Sequence, residues 1–413
     1  MTEMGHRFMT ENTQRYISLE EQFTAHNYHP LPVVLQRGQG IYLWDVDNKK
    51  YYDFLSGYSS VNQGHCHPKI IDTCIQQVKQ LTLTSRAFHH NKLGEFAKYI
   101  TAYFGYDKVL PMNTGVEGVE TAIKLSRKWG YEIKGIPENK AKIIVCEGNF
   151  HGRTTGVISF SSDADSTKNF GPFQPGFISI PYNNIEALTN ALTDNNVVGL
   201  LIEPIQGEAG VVIPDDGFLA NAANLCKKEN VLFIADEIQT GMGRTGRKLA
   251  CDHEGVKPDI LILGKALSGG LFPISAVLAN NEIMLCIQPG QHGSTFGGNP
   301  LACAVAQTSI TVIEEEDLLN NAEQRGLELR ETIRSFNHPH IAAVRGKGLL
   351  NAIVISHPDS NAAWNLCLTM MQNGVLAKPT HGDKIRLAPP LTITKEELQD
   401  ALSILQKSLD ILN

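Results

Sequence analysis

Lys265 stands at the end of the apolar run Ile260-Leu-Ile-Leu-Gly, and the small residues Ala-Leu-Ser-Gly-Gly follow it. A primary amine leaving a buried strand suits a Schiff base with a carbonyl group better than it suits a solvent-facing charge. A second apolar run, Val231-Leu-Phe-Ile-Ala, ends in Asp236 and Glu237. If both runs are strands of one parallel sheet, Asp236 and Lys265 emerge at the same carboxyl edge, where open α/β sheets bind ligands. A carboxylate and an amine so placed match the two ends of a pyridoxal phosphate ring.

Other groups fit around that pair. Asn113-Thr114-Gly115-Val116-Glu117 precedes a helical pattern running to Lys134, so the amides of Gly115 and Val116 would face a phosphate at a helix N-terminus. Alone, this reads more readily as an ordinary capped helix; Asp236 and Lys265 tip it toward phosphate. Phe150-His151-Gly152-Arg153 supplies an aromatic to cover one face of a planar cofactor, with Ile238 as a candidate for the other, and a guanidinium suited to a carboxylate. Glu203-Pro-Ile-Gln-Gly-Glu208 brings two carboxylates to the same edge, and carboxylates beside so much apolar sequence need a partner, for which Arg386 is a candidate. Gly293-Ser-Thr295-Phe-Gly-Gly-Asn, rich in small residues and hydroxyls, could donate to a phosphate. Alone, it reads as a turn. Gly64-His65-Cys66-His67 lacks the distal ligands of a zinc site and reads as a turn, so no metal is expected. No GxxxxGK[ST] occurs, which disfavours P-loop nucleotide chemistry.

The elements needed to position these groups are legible in the text. Gly38 to Phe54 alternates apolar and polar residues around Asp47-Asn48 and reads as a hairpin outside the main sheet. Helical patterns then alternate with strand runs at Ile143–Cys146, Val198–Ile202, Val231–Ala235, Ile260–Leu263 and Ile274–Leu278. That rhythm predicts an α/β domain with a mainly parallel sheet flanked by helices. Beyond Pro300, two long helical stretches, Val344–Ile355, Leu376–Pro379 and a last helix from Lys395 predict a smaller α+β domain. The division expected is an N-terminal segment, 1–59, packing with the small domain; a large domain, 60–300; and a small domain, 301–413.

With 413 residues, 42% of them hydrophobic, the chain can bury a large core. A net charge of −7 offers no general attraction to nucleic acid or anionic membrane, and no apolar run approaches the roughly 20 residues of a membrane span. Eight scattered cysteines without CxxC pairs read as reduced thiols, and the N-terminus reads as neither signal nor transit peptide. The compartment expected is the cytoplasm.

Taken together, Asn113-Thr-Gly, Phe150-His-Gly-Arg, Glu203-Pro, Asp236-Glu-Ile-Gln239, Gly264-Lys265 and Gly293-Ser-Thr-Phe-Gly-Gly-Asn resemble the class III, fold-type I pyridoxal-phosphate aminotransferases across nearly the whole chain. That resemblance implies a seven-stranded type of large-domain sheet, pyridoxal 5'-phosphate as cofactor, and a homodimer with the active site at its interface. Four further phrases, Asn27-Tyr28-His-Pro-Leu-Pro, Asn62-Gln-Gly-His-Cys-His-Pro, Arg345-Gly-Lys-Gly-Leu-Leu-Asn-Ala and Leu376-Ala-Lys-Pro-Thr-His-Gly-Asp, are similar to one branch of the family. That branch moves the δ-amino group of L-ornithine to 2-oxoglutarate, within proline and arginine metabolism.

The resemblance also implies roles. Lys265 would hold the cofactor and carry the proton, and Asp236 would keep the ring nitrogen protonated. Gln239 would lie near the phenolic oxygen, His151 beside the stacking Phe150, and Gly115, Val116 and Thr295 at the phosphate, Thr295 coming from a second subunit. Tyr28 and Arg153 would bind the α-amino and α-carboxylate end of ornithine, and Tyr58 would line that pocket. Glu208 would mask Arg386 until 2-oxoglutarate takes it. Animal members of the branch differ in carrying tryptophan for His151, and Gly118-Val119 departs from the usual Ala and Gly. Other ω-aminotransferases, for acetylornithine, 4-aminobutyrate or lysine, share the first set of phrases. A non-catalytic relative could have lost Lys265, which this chain retains.

Overall fold

The computed structural model describes residues 9–413. Its central sheet has seven strands: β4 (Lys108–Met112), β5 (Lys142–Cys146), β6 (Phe177–Ile180), β7 (Val197–Ile202), β8 (Leu232–Asp236), β9 (Ile260–Leu263) and β10 (Ser275–Ala279), in the order β4-β10-β9-β8-β7-β5-β6. The run from β9 to β6 is parallel throughout. Strands β7 to β10 are wholly buried, which is why they read as continuous apolar runs.

Two features depart from the sequence expectation. Strand β10, expected at Ile274–Leu278 in a mainly parallel sheet, runs antiparallel to both β4 and β9. A parallel return needs a crossover of about a dozen residues or more, usually a helix, whereas Gly264 to Ile274 holds only a 3₁₀ turn, Lys265–Ser268. Strands β4 and β6 were not among the expected runs. They are the two edges, only partly buried, and β4 contains Pro111, which an edge tolerates.

Helix α1 (Gly115–Trp129) crosses one face of the sheet, burying Val119, Ala122 and Leu125 against Val198, Ile234, Ile262 and Val277. Gly118 makes this close approach possible, because a Cβ there would lie 3.0 Å from Ile262 Cγ2. On the other face lies α2 (Pro300–Glu315), which packs against the turn that carries Lys265.

The C-terminal sheet is antiparallel: β11 (Ile341–Lys347), β12 (Leu350–Ile355), β15 (Lys384–Leu387) and β14 (Lys378–Thr380), in that order. A third sheet joins β1 (Leu35–Gln39), β2 (Tyr42–Asp45) and β3 (Lys50–Asp53) to the short β13 (Val375–Leu376), which lies parallel to β3. Tyr42 and Tyr52 donate from this sheet to Glu397 and Asp400 of the last long helix, at 2.8 and 2.6 Å. Arg244, fully buried, ties the lobes together: it donates to Asn62 Oδ1 at 3.1 Å and to the carbonyls of Leu349 and Pro389 at 3.0 and 2.6 Å. Burial pushes its pKa down to about 9.

Candidate active site

Asp236 is the last residue of β8 and pairs with Ile262 of β9, three residues before Lys265. Parallel register therefore brings the carboxylate and the amine to one edge. Strand alternation sends the next side chain the other way. Glu237 is buried behind the edge, accepting from the amides of Ala250 and Cys251 at 3.0 and 2.8 Å, a structural duty.

A cavity of about 240 Å³ opens at this edge, lined by Gly115, Val116, Phe150, His151, Glu208, Asp236, Ile238, Gln239 and Lys265 among others. An adjoining space of about 330 Å³ is lined by Ser60, Asn113, Thr114 and Gly115 and shares Lys265. Lys265 sits in the left-handed region at φ 45, a strained conformation for a lysine that places its side chain at the junction of the two spaces. Burial lowers its pKa, against the opposing charge of Glu208, so more of the amine is neutral and nucleophilic.

His151 and Asp236 form the floor. Nδ1 of His151 lies 2.7 Å from Asp236 Oδ2, with both side chains buried. The carboxylate can only accept, so the ring carries its proton on Nδ1. Burial works to lower the His151 pKa, but the hydrogen bond and charge of Asp236 outweigh it and the net shift is upward. The other oxygen, Asp236 Oδ1, accepts from the Ile238 amide at 3.1 Å, fixing the carboxylate.

Thr114 caps α1 in a capping box with Glu117, whose Oε2 accepts from the amides of Thr114 and Asn113 at 2.7 and 3.0 Å. Glu117 thus serves the residues ahead of the helix. The amides of Gly115 and Val116 belong to the first turn, whose N–H groups have no intrahelical acceptor. A Cβ at Gly115 would lie 3.0 Å from Ile238 Cδ1, so the glycine lets Ile238 pack closely against the start of the helix.

Strand β15 of the C-terminal sheet brings a guanidinium to this edge. Arg386, 1% exposed, donates to Glu208 Oε1 at 2.9 Å and to the Gly207 carbonyl at 3.1 Å. Burial would raise the Glu208 pKa, but the charge and hydrogen bond of Arg386, helped by Lys265 and Gln239, hold it down to about 2. Tyr58 lies beneath this pair, its ring centroid 5.4 Å from the Arg386 guanidinium carbon. It belongs to a left-handed turn, Ser56 to Ser59, in which all four residues have positive φ. Each non-glycine residue there costs about 1–2 kcal/mol, and Asp53 and Ala388 pin the turn through hydrogen bonds of 2.7–2.9 Å.

Arg153 and Tyr28 are both exposed. The Arg153 guanidinium carbon is 5.6 Å from the Phe150 ring centroid, and Tyr28 is 74% exposed, near enough to influence Tyr58. Thr295 is exposed and lines neither cavity of its own chain; its neighbour Ser294 accepts from Asn113 at 2.8 Å. His65 and His67 of the histidine-rich turn bind separate carboxylates, Asp53 and Glu316.

Glu203, expected at this edge, has no specific role implied by the family resemblance. It lines the cavity, accepts from the Phe150 amide at 3.0 Å, and its pKa is pushed up to about 7, mainly by burial. Ile205 and Thr240 also line the wall. The available signal for Glu203 was its position at the exit of the most buried strand.

The arrangement fits pyridoxal phosphate. An amine and an acid occupy one cavity, glycine and first-turn amides border it, and Gln239 Oε1 and His151 Nε2 are buried without partners. The description Aminotransferase class-III matches residues 23–409. Rat mitochondrial ornithine aminotransferase is 58% identical over 94% of this chain and 89% of its own length. A Toxoplasma gondii ornithine aminotransferase structure, described as having partial occupancy of PLP at the active site, superposes with a TM-score of 0.95 at 47% identity, covering 97% of this chain and 94% of that one. An acetylornithine aminotransferase structure from Elizabethkingia anophelis gives a TM-score of 0.89 at 57% identity, covering 97% and 100%.

Proposed function

We propose, from the premise that this chain belongs to the class III aminotransferases, that it transfers the δ-amino group of L-ornithine to 2-oxoglutarate. The products are L-glutamate and glutamate 5-semialdehyde, which cyclises to pyrroline-5-carboxylate. The observation that carries this reading is the pairing of Arg386 with Glu208, which lines the cavity, while Arg153, next in sequence to the cavity-lining Gly152, is exposed. One carboxylate site is free and one is masked, as required when a single cavity takes first a diamine acid and then a diacid, in ping-pong order.

Bound at this site, pyridoxal 5'-phosphate supplies a carbonyl for the amine and an electron sink for the bond being broken. Gly115 and Val116 would hold its phosphate, Phe150 and Ile238 would flank its ring, and Gln239 would lie by its phenolic oxygen. Asp236, held by His151, keeps a positive charge on the ring nitrogen, a charge-assisted contact of about 1.5–3 kcal/mol. Lys265 Nζ would take the proton from the amine-bearing carbon of ornithine and, in the second half-reaction, give one to the carbon that becomes the α-carbon of glutamate. Tyr28 and Arg153 receive the α-amino and α-carboxylate groups of ornithine, so its δ-carbon meets Lys265. For 2-oxoglutarate, Arg153 takes the distal carboxylate and Arg386, freed from Glu208, takes the one beside the keto group.

We also read the active unit as a homodimer that completes the phosphate site with Thr295 of the partner subunit. Support comes from the exposure of Thr295, Phe296 and Phe88. Eight free thiols suit a reducing compartment, the cytoplasm on this reading.

The deciding experiment offers ornithine, N-acetylornithine, 4-aminobutyrate and lysine with 2-oxoglutarate and traps pyrroline-5-carboxylate. Ornithine should be the preferred donor and yield the trapped product. Preference for N-acetylornithine, which the Elizabethkingia likeness keeps in view, would replace this reading with the acetylornithine one.

A further inference from the structure

The Glu208 switch leaves a physical question, since a carboxylate released from Arg386 must not be left unpaired in a largely buried place. The C-terminal sheet offers an answer. Lys378 of β14 is directly opposite Arg386 of β15, and Thr380 is opposite Lys384. Cross-strand partners share a face, as do residues two apart along a strand, so these four side chains belong to one face. Contacts show what that face meets. Thr380 Oγ1 donates to the Glu208 carbonyl at 2.9 Å, Arg386 reaches Gly207 and Glu208, and a Cβ on Gly210 would lie 2.2 Å from Lys384 Cδ. The face therefore abuts the Gly207–Gly210 loop that carries Glu208.

Two like charges directly opposite each other are unfavourable unless an anion serves both. Arg386 pairs with Glu208 and Lys384 with Asp383, but among the described residues no ion pair engages the half-buried Lys378 ammonium. Burial lowers the Lys378 pKa, and the nearby Cys367 thiol, followed by Glu208, works against that shift.

We propose that Lys378 is the cation that receives the Glu208 carboxylate when a diacid takes Arg386. Lys378 is thus a positioning residue for the second substrate, acting through Glu208. Its long flexible stem suits a partner engaged in only one half of the cycle. This inference rests on the two-substrate reading above.

The test uses the pyridoxal-phosphate-loaded protein with Lys378→Met, Lys378→Arg, Glu208→Gln and the Lys378→Met/Glu208→Gln pair. Glutarate affinity is measured by calorimetry, and the two half-reactions are followed separately. Lys378→Met should weaken glutarate binding and raise the apparent KM for 2-oxoglutarate by about tenfold, with a clearly smaller change in the ornithine half-reaction. Lys378→Arg should restore both. In the Glu208→Gln background, adding Lys378→Met should change little, because no carboxylate remains to be received. Equal losses in both halves, unchanged glutarate affinity, or the full loss persisting without Glu208 would overturn the proposal; the last would mean direct contact with the diacid. Glutarate binding tests Lys378 whatever the amino donor, so a failure of wild-type protein with ornithine would count against the substrate reading alone.

Discussion

His151 Nδ1 and Asp236 Oδ2 are 2.7 Å apart, with both side chains buried. The pair makes Asp236 dependent on a side chain from the loop after β5, distant in sequence. His151→Phe should lower kcat by about tenfold or more, from the loss of a buried charge-assisted hydrogen bond of roughly 1.5–3 kcal/mol. Because Asp236 raises the His151 pKa, the pair's stabilisation is fully present below about 6.5, the ordinary imidazole value, and is lost as pH rises through the elevated one. Urea unfolding of wild type and variant across pH 6 to 9 should show the difference shrinking toward the alkaline end.

Glu208→Ala exposes Arg386. The variant should lose δ-transfer from ornithine and gain reaction with α-amines such as that of glutamate, measured as the ratio of the two rates. An unchanged ratio would refute the switch. Since Arg386 helps hold the Glu208 pKa down to about 2, the pair's stabilisation is present above 4.5 and is lost as pH falls through about 2. Any acid limb of activity between pH 5 and 7 must therefore come from another group.

Glu203 is the nearest candidate for such a limb. Its pKa, raised to about 7, means that its contribution to stability is fully present below 4.5 and is lost as pH rises through about 7. Glu203→Gln should abolish this decline, on the order of 3 kcal/mol, while keeping the side chain's size. Parallel pH profiles of stability in variant and wild type would count against it.

Gly152 has φ +121, and a Cβ there would lie 2.6 Å from Val116 Cγ2. Gly152→Ala should destabilise the fold by about 2 kcal/mol or more and weaken cofactor binding, because Val116 and His151 move together. Thermal unfolding and an absorbance titration with pyridoxal phosphate measure both effects.

The sequence alone determined Lys265, Asp236 and the strands that end at them. Those features are local: a strand buried on both faces must be a run of apolar residues, and chemistry at its exit is written in the next few letters. The hairpin at Asp47-Asn48 was legible for the same reason. Edge strands β4 and β6 were not, because partial burial relaxes the apolar demand, and the direction of β10 depended on what the short link after Lys265 could span. Only the tertiary structure set Glu208 against Arg386, 178 residues away, and turned Lys378 to the same face. It also buried Glu237 behind the edge against the amides of Ala250 and Cys251, and raised the Glu203 pKa by enclosing its carboxyl group. Charge partners and desolvation are properties of what surrounds a side chain, and here distant elements supply those surroundings only once the lobes have docked.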